Sequence, residues 1–214
     1  MNESVAAVLH GAGGGKTPHQ VGEMRGNVVL VAYADMPDES LMDFIRAGNI
    51  RAYEVLVSRH HQRFFSMTYR WVLHAQDAED IVQDAFMKLW SGKAKWKSGK
   101  GARFTTWFYR ILYNQAMDSL RERKRAFYEL NENVESGDIS AETGLIDLQQ
   151  QRELRRILAE LPENQRIAVN LFYFENLPQK QIAQTMGIGL KALESLLSRA
   201  RTTLKERMVT YEAA

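Results

Sequence analysis

Between Asp77 and Trp90, in DAEDIVQDAFMKLW, residues Ala78, Ile81, Val82, Ala85, Phe86, Leu89 and Trp90 recur at helical spacing, while Asp77, Glu79, Asp80, Gln83 and Asp84 fall on the other side. This is the clearest amphipathic helix of the chain, and Asp77 is placed to cap its start. From Phe104 to Arg125, in FTTWFYRILYNQAMDSLRERKR, the pattern is helical again, with Trp107, Ile111, Ala116 and Leu120 fitting a buried stripe. Phe108, Tyr109 and Tyr113 lie on different faces, so some of these rings are expected at the surface. Residues 179–198, QKQIAQTMGIGLKALESLLS, carry the spacing of two helices crossing at a tight turn. Ala183 is small enough for the crossing, Gly187 permits the turn, and Ile182, Met186, Ile188, Leu193 and Leu197 occupy the inward positions. Pro178 suits the first position of the first helix, where its missing N–H is not needed. The pattern is that of a helix-turn-helix, and with no convincing series of strands the expected fold class is all-α.

In a helix-turn-helix the second helix enters the major groove, so its phase decides which residues face a duplex. Leu193, Leu197, Ala200 and Leu204 form the stripe that must face the domain, which leaves Lys191, Ser195, Ser198 and Thr202 opposite and Arg199, Arg201 and Lys205 at the flanks. Lys191, Glu194, Ser195, Ser198 and Arg199 are the candidate DNA-reading set, the cations toward phosphates and Glu194 toward a cytosine amino group. Thr202 and Lys205 come late in the helix and read as an ordinary solvated face.

The chain has 214 residues, 45% of them hydrophobic, which is enough for two small domains with real cores. It has no Cys, which excludes disulfides, thiolate zinc sites and cysteine nucleophiles and fits a reducing cytoplasm. The apolar run Val28 to Ala34 is too short to span a bilayer, and GAGGGKTPHQ lacks a secretory pattern, so a soluble protein without stable membrane insertion is expected. Residues 1–37 are Gly-rich and aperiodic and read as a disordered extension, with Met24 and Met36 as further possible starts. GAGGGKT lacks both the spacing of a phosphate loop and a preceding strand.

The net charge of +2 hides strong segregation. From Lys93 to Arg125 there are ten basic residues against Asp118 and Glu122, whereas residues 126–149 hold six acids and no base. The acidic stretch has too few large apolar residues to fold alone and reads as a flexible linker. It separates an N-terminal helical domain, 38–125, from a C-terminal one, 150–210. In the loop KAKWKSGKGAR, Lys93, Lys95, Lys97, Lys100 and Arg103 surround an exposed-looking Trp96. Together with Tyr109 and Arg110 this is the mixture of cations and rings that holds single-stranded nucleic acid with bases unstacked. The plainer alternative is a merely basic surface loop.

Other chemistries fit less well. Asp80 and Asp84 share a helix face, but no third metal ligand is evident, so solvated acids are expected and no metal or other cofactor. His60 and His61 are adjacent and point different ways, and with His74 they are expected to be solvated. A recombinase would need a nucleophile and an Arg cluster in a second catalytic fold, which the pattern does not offer. No enzyme activity and no catalytic residues are therefore expected.

Taken in order, the acidic helix DAEDIVQDAFMKLW, the helix FTTWFYRILYNQAMDSLRERKR, an acidic linker, LPENQRIAVNLFYFENLPQKQIAQTMGIG and SRAR resemble the extracytoplasmic-function (ECF) group of bacterial RNA polymerase sigma factors over about residues 38–208. The resemblance implies two helical domains, one like sigma region 2 and one like region 4, and a factor that binds core RNA polymerase and directs it to promoter DNA. By position it implies that Asp80, Gln83, Asp84 and Phe86 dock on the polymerase. It further implies that the loop from Lys93 to Arg103 and the helix through Asn114, Asp118 and Arg121 recognise the minus-10 element, and that the helix-turn-helix reads the minus-35 element. The acidic linker would thread toward the polymerase active-site cleft. An anti-sigma partner is also implied. The chain departs from the family pattern at Tyr113, where a base is frequent, and at Glu194 and Leu196, where Lys and Arg are frequent, so the minus-35 sequence does not transfer. The rival reading is a conventional helix-turn-helix regulator that binds duplex operators without polymerase.

Overall fold

The computed structural model describes residues 33–96, 103–130 and 156–212. Among them there is no strand, and the all-α expectation holds. The helices are α1 (Asp38–Arg46), α2 (Ile50–Val72), α3 (Ala75–Trp90), α4 (Phe104–Leu130), α5 (Glu163–Val169), α6 (Gln179–Met186) and α7 (Leu190–Glu212), with one π-helical turn, Asn170–Phe174, directly after α5. The chain divides into two compact units, residues 1–62 with 86–104, and residues 63–85 with 105–214.

In the first unit, residues 33–37 of the stretch read as a disordered extension are packed, while residues 1–32 lie outside the described residues. Tyr33, inside the stretch read as a disordered extension, is buried with its ring edge-on to Phe44, and its hydroxyl accepts from Asn49 Nδ2 at 2.9 Å. Arg59 fixes the same segment, donating to the carbonyls of Met36 at 3.0 Å and Ala34 at 2.9 Å and pairing with Asp38. His60 is the other partner of Asp38, at 2.7 Å, and is buried against Phe104. The expectation of a solvated His60 is thereby corrected: it lies on the stripe of α2 that buries Ala52 and Leu56, and a carboxylate satisfies it there.

In the second unit, α4 buries Phe104's successors in phase, namely Phe108, Tyr109, Leu112, Ala116 and Leu120. Trp107 and Ile111, assigned to the core from the sequence, are half-buried; steps of four residues from Phe108 align the inward stripe one position further on. α4 continues to Leu130, into the stretch read as linker. The remainder of that stretch, from residue 131, lies outside the described residues.

α5, the π turn, α6 and α7 pack on one another within this unit. Pro178 stands just before α6, with ψ 140, and its carbonyl accepts from Gln181 and Ile182 at 2.8 and 3.1 Å. Gly187 ends α6 in the left-handed region, φ 67 and ψ 29; the N–H of Ile188 reaches the Ala183 carbonyl at 3.0 Å and that of Gly187 reaches Gln184 at 3.4 Å. This paired closure satisfies carbonyls that the end of α6 leaves open and turns the chain into α7. Ile182, Ala183, Met186, Leu193 and Leu197 are buried as expected, while Ile188 is half-buried. Each fully buried aliphatic side chain here contributes on the order of 2 kcal/mol.

Gly187→Ala is expected to destabilise the protein by about 1–2 kcal/mol because an L side chain resists this φ, whereas Gly189→Ala, at a position without positive φ and with open space around it, should cost a few tenths. Urea titrations of the two variants compare them directly. Burial opposes ionisation of Asp38, but His60 and Arg59 outweigh it and hold the carboxyl below its ordinary value. A depressed carboxyl stabilises the fold above the unfolded value and loses that contribution as pH falls through the folded value. Stability should therefore decline more steeply below about pH 4 in the parent than in Asp38→Asn, as measured by thermal melts across that range.

Candidate nucleic-acid interface

Helix α7 presents Lys191, Glu194, Ser198 and Arg199 to solvent, with Ser195 partly covered. Among the described residues no carboxylate pairs with Lys191 or Arg199, so both cations are available to an external anion. Leu190 and Ala192, not singled out in the sequence, are exposed at the start of the same helix. Side chains of that kind contact thymine methyl groups. The methyl-bearing Thr202 and Thr203 instead bond back to the Ser198 and Arg199 carbonyls at 3.3 and 3.2 Å, which fits a structural role late in the helix.

On α4, Arg110, Asn114, Asp118 and Arg121 are all exposed and follow steps of four, four and three residues, so they share one face. Arg121 donates to Asp118 at 3.0 Å. Tyr109 is not part of that face. It is 0% exposed and its hydroxyl points inward, which corrects the expectation of a surface ring in the described conformation. Tyr113 is half-buried, its hydroxyl 3.4 Å from Asn164 Oδ1. In the first unit, Lys93, Lys95 and Arg103 are exposed, but Trp96 is 7% exposed and belongs to the core, contrary to its exposed look in the sequence. Its ring is too large and apolar to leave in water when a core lies beside the loop. Lys97 and Lys100 lie outside the described residues.

On α3, Asp80, Gln83 and Asp84 are exposed. Gln76 donates to Asp80 at 2.9 Å and Gln83 to Glu79 at 3.2 Å, ordinary one-turn contacts. Phe86 is 3% exposed, edge-on to Tyr53 and stacked against His61. It cannot touch a partner from that position, so its expected docking role is corrected to that of a core residue orienting the helix. Asp77 is not a cap: it pairs with His74 at 2.9 Å and with Arg123 at 3.3 Å. Among the described residues no group of three His, Cys, Asp or Glu could hold a metal ion, and no helix is long and apolar enough to cross a membrane.

A polar cluster that the sequence did not announce lies in the second unit. Glu175 follows the π turn with its side chain 4% exposed. Arg63 donates through Nε to Glu175 Oε2 at 2.9 Å, Arg70 through Nη2 to Oε1 at 3.1 Å, and the Tyr109 hydroxyl to Oε2 at 3.3 Å. Burial first, and then the Glu175 charge, pushes the Tyr109 hydroxyl far above its ordinary value, so it remains a donor. Burial also lowers Arg70, with Glu175 opposing. Beside this cluster the Trp71 indole donates to Asn170 Oδ1 at 3.1 Å, and buried Arg166 donates to the carbonyls of Trp71 at 2.8 Å and Leu161 at 3.1 Å. The clue in the sequence was a lone acid inside the apolar run LFYFENL.

Residues 56–126 match the family Sigma-70 region 2, and residues 151–204 match Sigma-70, region 4. The chain is 26% identical to the RNA polymerase sigma-H factor of Pseudomonas aeruginosa over 182 residues, covering 80% of this chain and 93% of that protein. It is 28% identical to the ECF RNA polymerase sigma-E factor of Escherichia coli K12 over 184 residues, covering 81% and 95%. Its fold is similar to that of CnrH, solved in complex with the cytosolic domain of CnrY, with a TM-score of 0.59 and 24% identity over 81% of this chain and 97% of that one. Two helical segments of different charge in this order, matched to these two sigma regions, settle the family: the chain belongs to the ECF group of bacterial RNA polymerase sigma factors.

Proposed function

We propose that this sigma factor divides its work among three exposed helix faces. The acidic face of α3, Asp80, Gln83 and Asp84, docks on core RNA polymerase. The face of α4 with Arg110, Asn114, Asp118 and Arg121, together with Lys93, Lys95, Lys97, Lys100 and Arg103, engages the minus-10 element as it melts, and Tyr109 and Trp96 support it from the interior. The recognition helix α7 reads the minus-35 duplex through Lys191, Glu194, Ser195, Ser198 and Arg199, with Leu190 added at its start. The observation that carries this reading is the separation of chemistries on exposed surface: carboxylates on α3, a mixed cationic face on α4, and, at the start of α7, Lys191 and Arg199 without carboxylate partners among the described residues. Cations suit phosphate and carboxylates repel it, so α3 is fitted to a protein and the other two to DNA.

The factor acts in the cytoplasm, contributes no bond-making chemistry of its own, and leaves nucleotide transfer to the polymerase. An anti-sigma protein is the expected negative regulator, in keeping with the complex in which the similar CnrH was solved.

Asp80→Arg with Asp84→Arg is expected to abolish co-elution with bacterial core RNA polymerase while the far-ultraviolet dichroism stays unchanged, since both side chains are exposed. Co-elution at parental strength would overturn the docking assignment. If the parent binds specific duplexes but never the core enzyme, a conventional regulator would replace the sigma reading. Arg199→Ala is expected to weaken holoenzyme binding to promoter fragments and to lower the slope of log affinity against log salt by about one.

A further inference from the structure

With Phe86 in the core, the apolar group of the proposed docking face on α3 is its neighbour, Met87. That side chain is 59% exposed, three residues from Asp84 and four from Gln83, and Asp84 stands four from Asp80. At about 100° per residue these side chains fall within an arc of about 100°, with Met87 between Gln83 and Asp80. The thioether therefore sits inside the acidic face and not at its edge. Met42, Met67 and Met186 are buried, and Met36 and Met117 are half-buried, so Met87 is the one exposed methionine among the described side chains. We infer that Met87 is an oxidation site within the docking face, and that conversion of its thioether to the sulfoxide by hydrogen peroxide weakens attachment to core RNA polymerase.

An exposed methionine taken alone is commonplace, since apolar side chains are scattered over any protein surface. Its place gives this one weight. Asp80, Gln83 and Asp84 are solvated in the free factor, and a partner that replaces their water adds only modestly to affinity. Met87 loses no hydrogen bond of consequence on leaving water, and its unbranched, polarizable chain moulds to the surface it meets. Where polar groups ring one apolar side chain, the apolar one carries much of the binding energy and the ring sets the register. The occupant that fits this face has cations for the aspartates around an apolar seat. That is the chemistry asked of the polymerase in the docking proposed above, and the inference rests on that reading.

The oxidation balances with peroxide alone. A sulfur lone pair attacks one peroxide oxygen, the O–O bond breaks, that oxygen stays on sulfur, and the other leaves as water. Sulfur loses two electrons and the peroxide gains them. The product carries a strongly polar S–O group where the thioether was a weak acceptor. On docking, that group gives up its water at a seat shaped for an apolar side chain, and a loss of about tenfold in affinity is expected from such desolvation. The chain has no Cys, so no thiol competes for the oxidant. Phe86 and Leu89, on either side of Met87, are buried, so the modification changes the face and leaves the packing of α3 in place.

In the test, the full-length factor alone is treated with dilute hydrogen peroxide, desalted, and mixed with untreated core RNA polymerase, while peptide mass mapping reads each methionine separately. Met87 is expected to gain its oxygen first, and the oxidised parent to bind core about tenfold more weakly, with recovery after methionine sulfoxide reductase. Met87→Leu should bind like the parent and keep that affinity after peroxide. Met87→Gln, a polar side chain of similar length, should bind about tenfold more weakly with no oxidant present. Far-ultraviolet dichroism should be the same for all of them, because the side chain is exposed. Oxidation of Met87 no faster than that of Met67 and Met186 overturns the site. Undiminished binding by a parent fully oxidised at Met87, or an equal loss by oxidised Met87→Leu, overturns its consequence for docking. If Met87 oxidises first but even the untreated parent never binds core, the docking reading fails and the modification site stands.

Discussion

A carboxylate almost out of water, at Glu175, is the constraint on which the second unit depends. Removing a charge from water costs several kcal/mol, and the penalty is met here by two guanidinium groups and a phenol in hydrogen-bond contact. The arrangement is unforgiving: taking one partner from a buried pair commonly costs about 3–5 kcal/mol, because the other charge is stranded. The backbone has to deliver the carboxylate accurately. The π turn at Asn170–Phe174 adds the extra residue that swings Glu175 inward, its N–H held by the Asn170 carbonyl at 3.2 Å, and the left-handed Asn176 redirects the chain toward α6. The first helix of the helix-turn-helix is therefore launched from the cluster itself.

The C-terminal end of α2 is the second half of the same construction. A helix end leaves carbonyls open and carries partial negative charge. Arg166 takes the Trp71 carbonyl at 2.8 Å and Arg123 that of Val72 at 3.2 Å, so two cations cap one terminus from two different helices. Leu73 follows at φ 57, a conformation that costs a branched residue about 1–2 kcal/mol. The capping arginines and the bond from the Leu73 N–H to the Tyr69 carbonyl hold it there. Strain, capping and the Glu175 cluster are thus concentrated in one polar seam.

Where one physical rule acted on one local stretch, the sequence was readable. The turn at Gly187, the small Ala183, the buried Leu193 and Leu197, and the acidic helix around Asp80 followed from periodicity and from the conformational freedom of glycine. The exposed face Arg110, Asn114, Asp118 and Arg121 fits the positions that the family resemblance assigned. The reading failed where tertiary contact decides. Trp96 was read as a surface group because it sits among charges in the sequence, and Phe86, which periodicity put on the apolar stripe, was given a docking role by the resemblance, yet both are buried. Tyr109 carries a hydroxyl and stands next to Arg110, so it read as a DNA-facing ring, but its bond is to an acid 66 residues away. His60 looked solvated because nothing local pairs with it, and Asp38, its partner, is 22 residues distant. A stripe in α4 shifted by one position moved Trp107 out of the core and Phe108 into it.

Charge shows the same limit, and it bears on function. The run from Lys93 to Arg125 counts as a strongly basic stretch, but its cations divide into two populations. Arg123 is engaged with Asp77 and the end of α2, Lys124 with Glu163 at 2.7 Å and Arg121 with Asp118, while Arg103 and Arg110 face solvent with no carboxylate partner among the described residues. Beyond that run, Arg63 and Arg70 are engaged with the buried Glu175, and Arg166 with backbone carbonyls of the interior. Phosphate attraction scales with the cations that can release counterions at the surface, not with their number in the chain. The same residue type thus builds the seam and the DNA-facing surfaces, and burial decides which. An arginine beside a buried carboxylate is spent on holding the fold together; an arginine alone on a helix face keeps its charge available to an external anion.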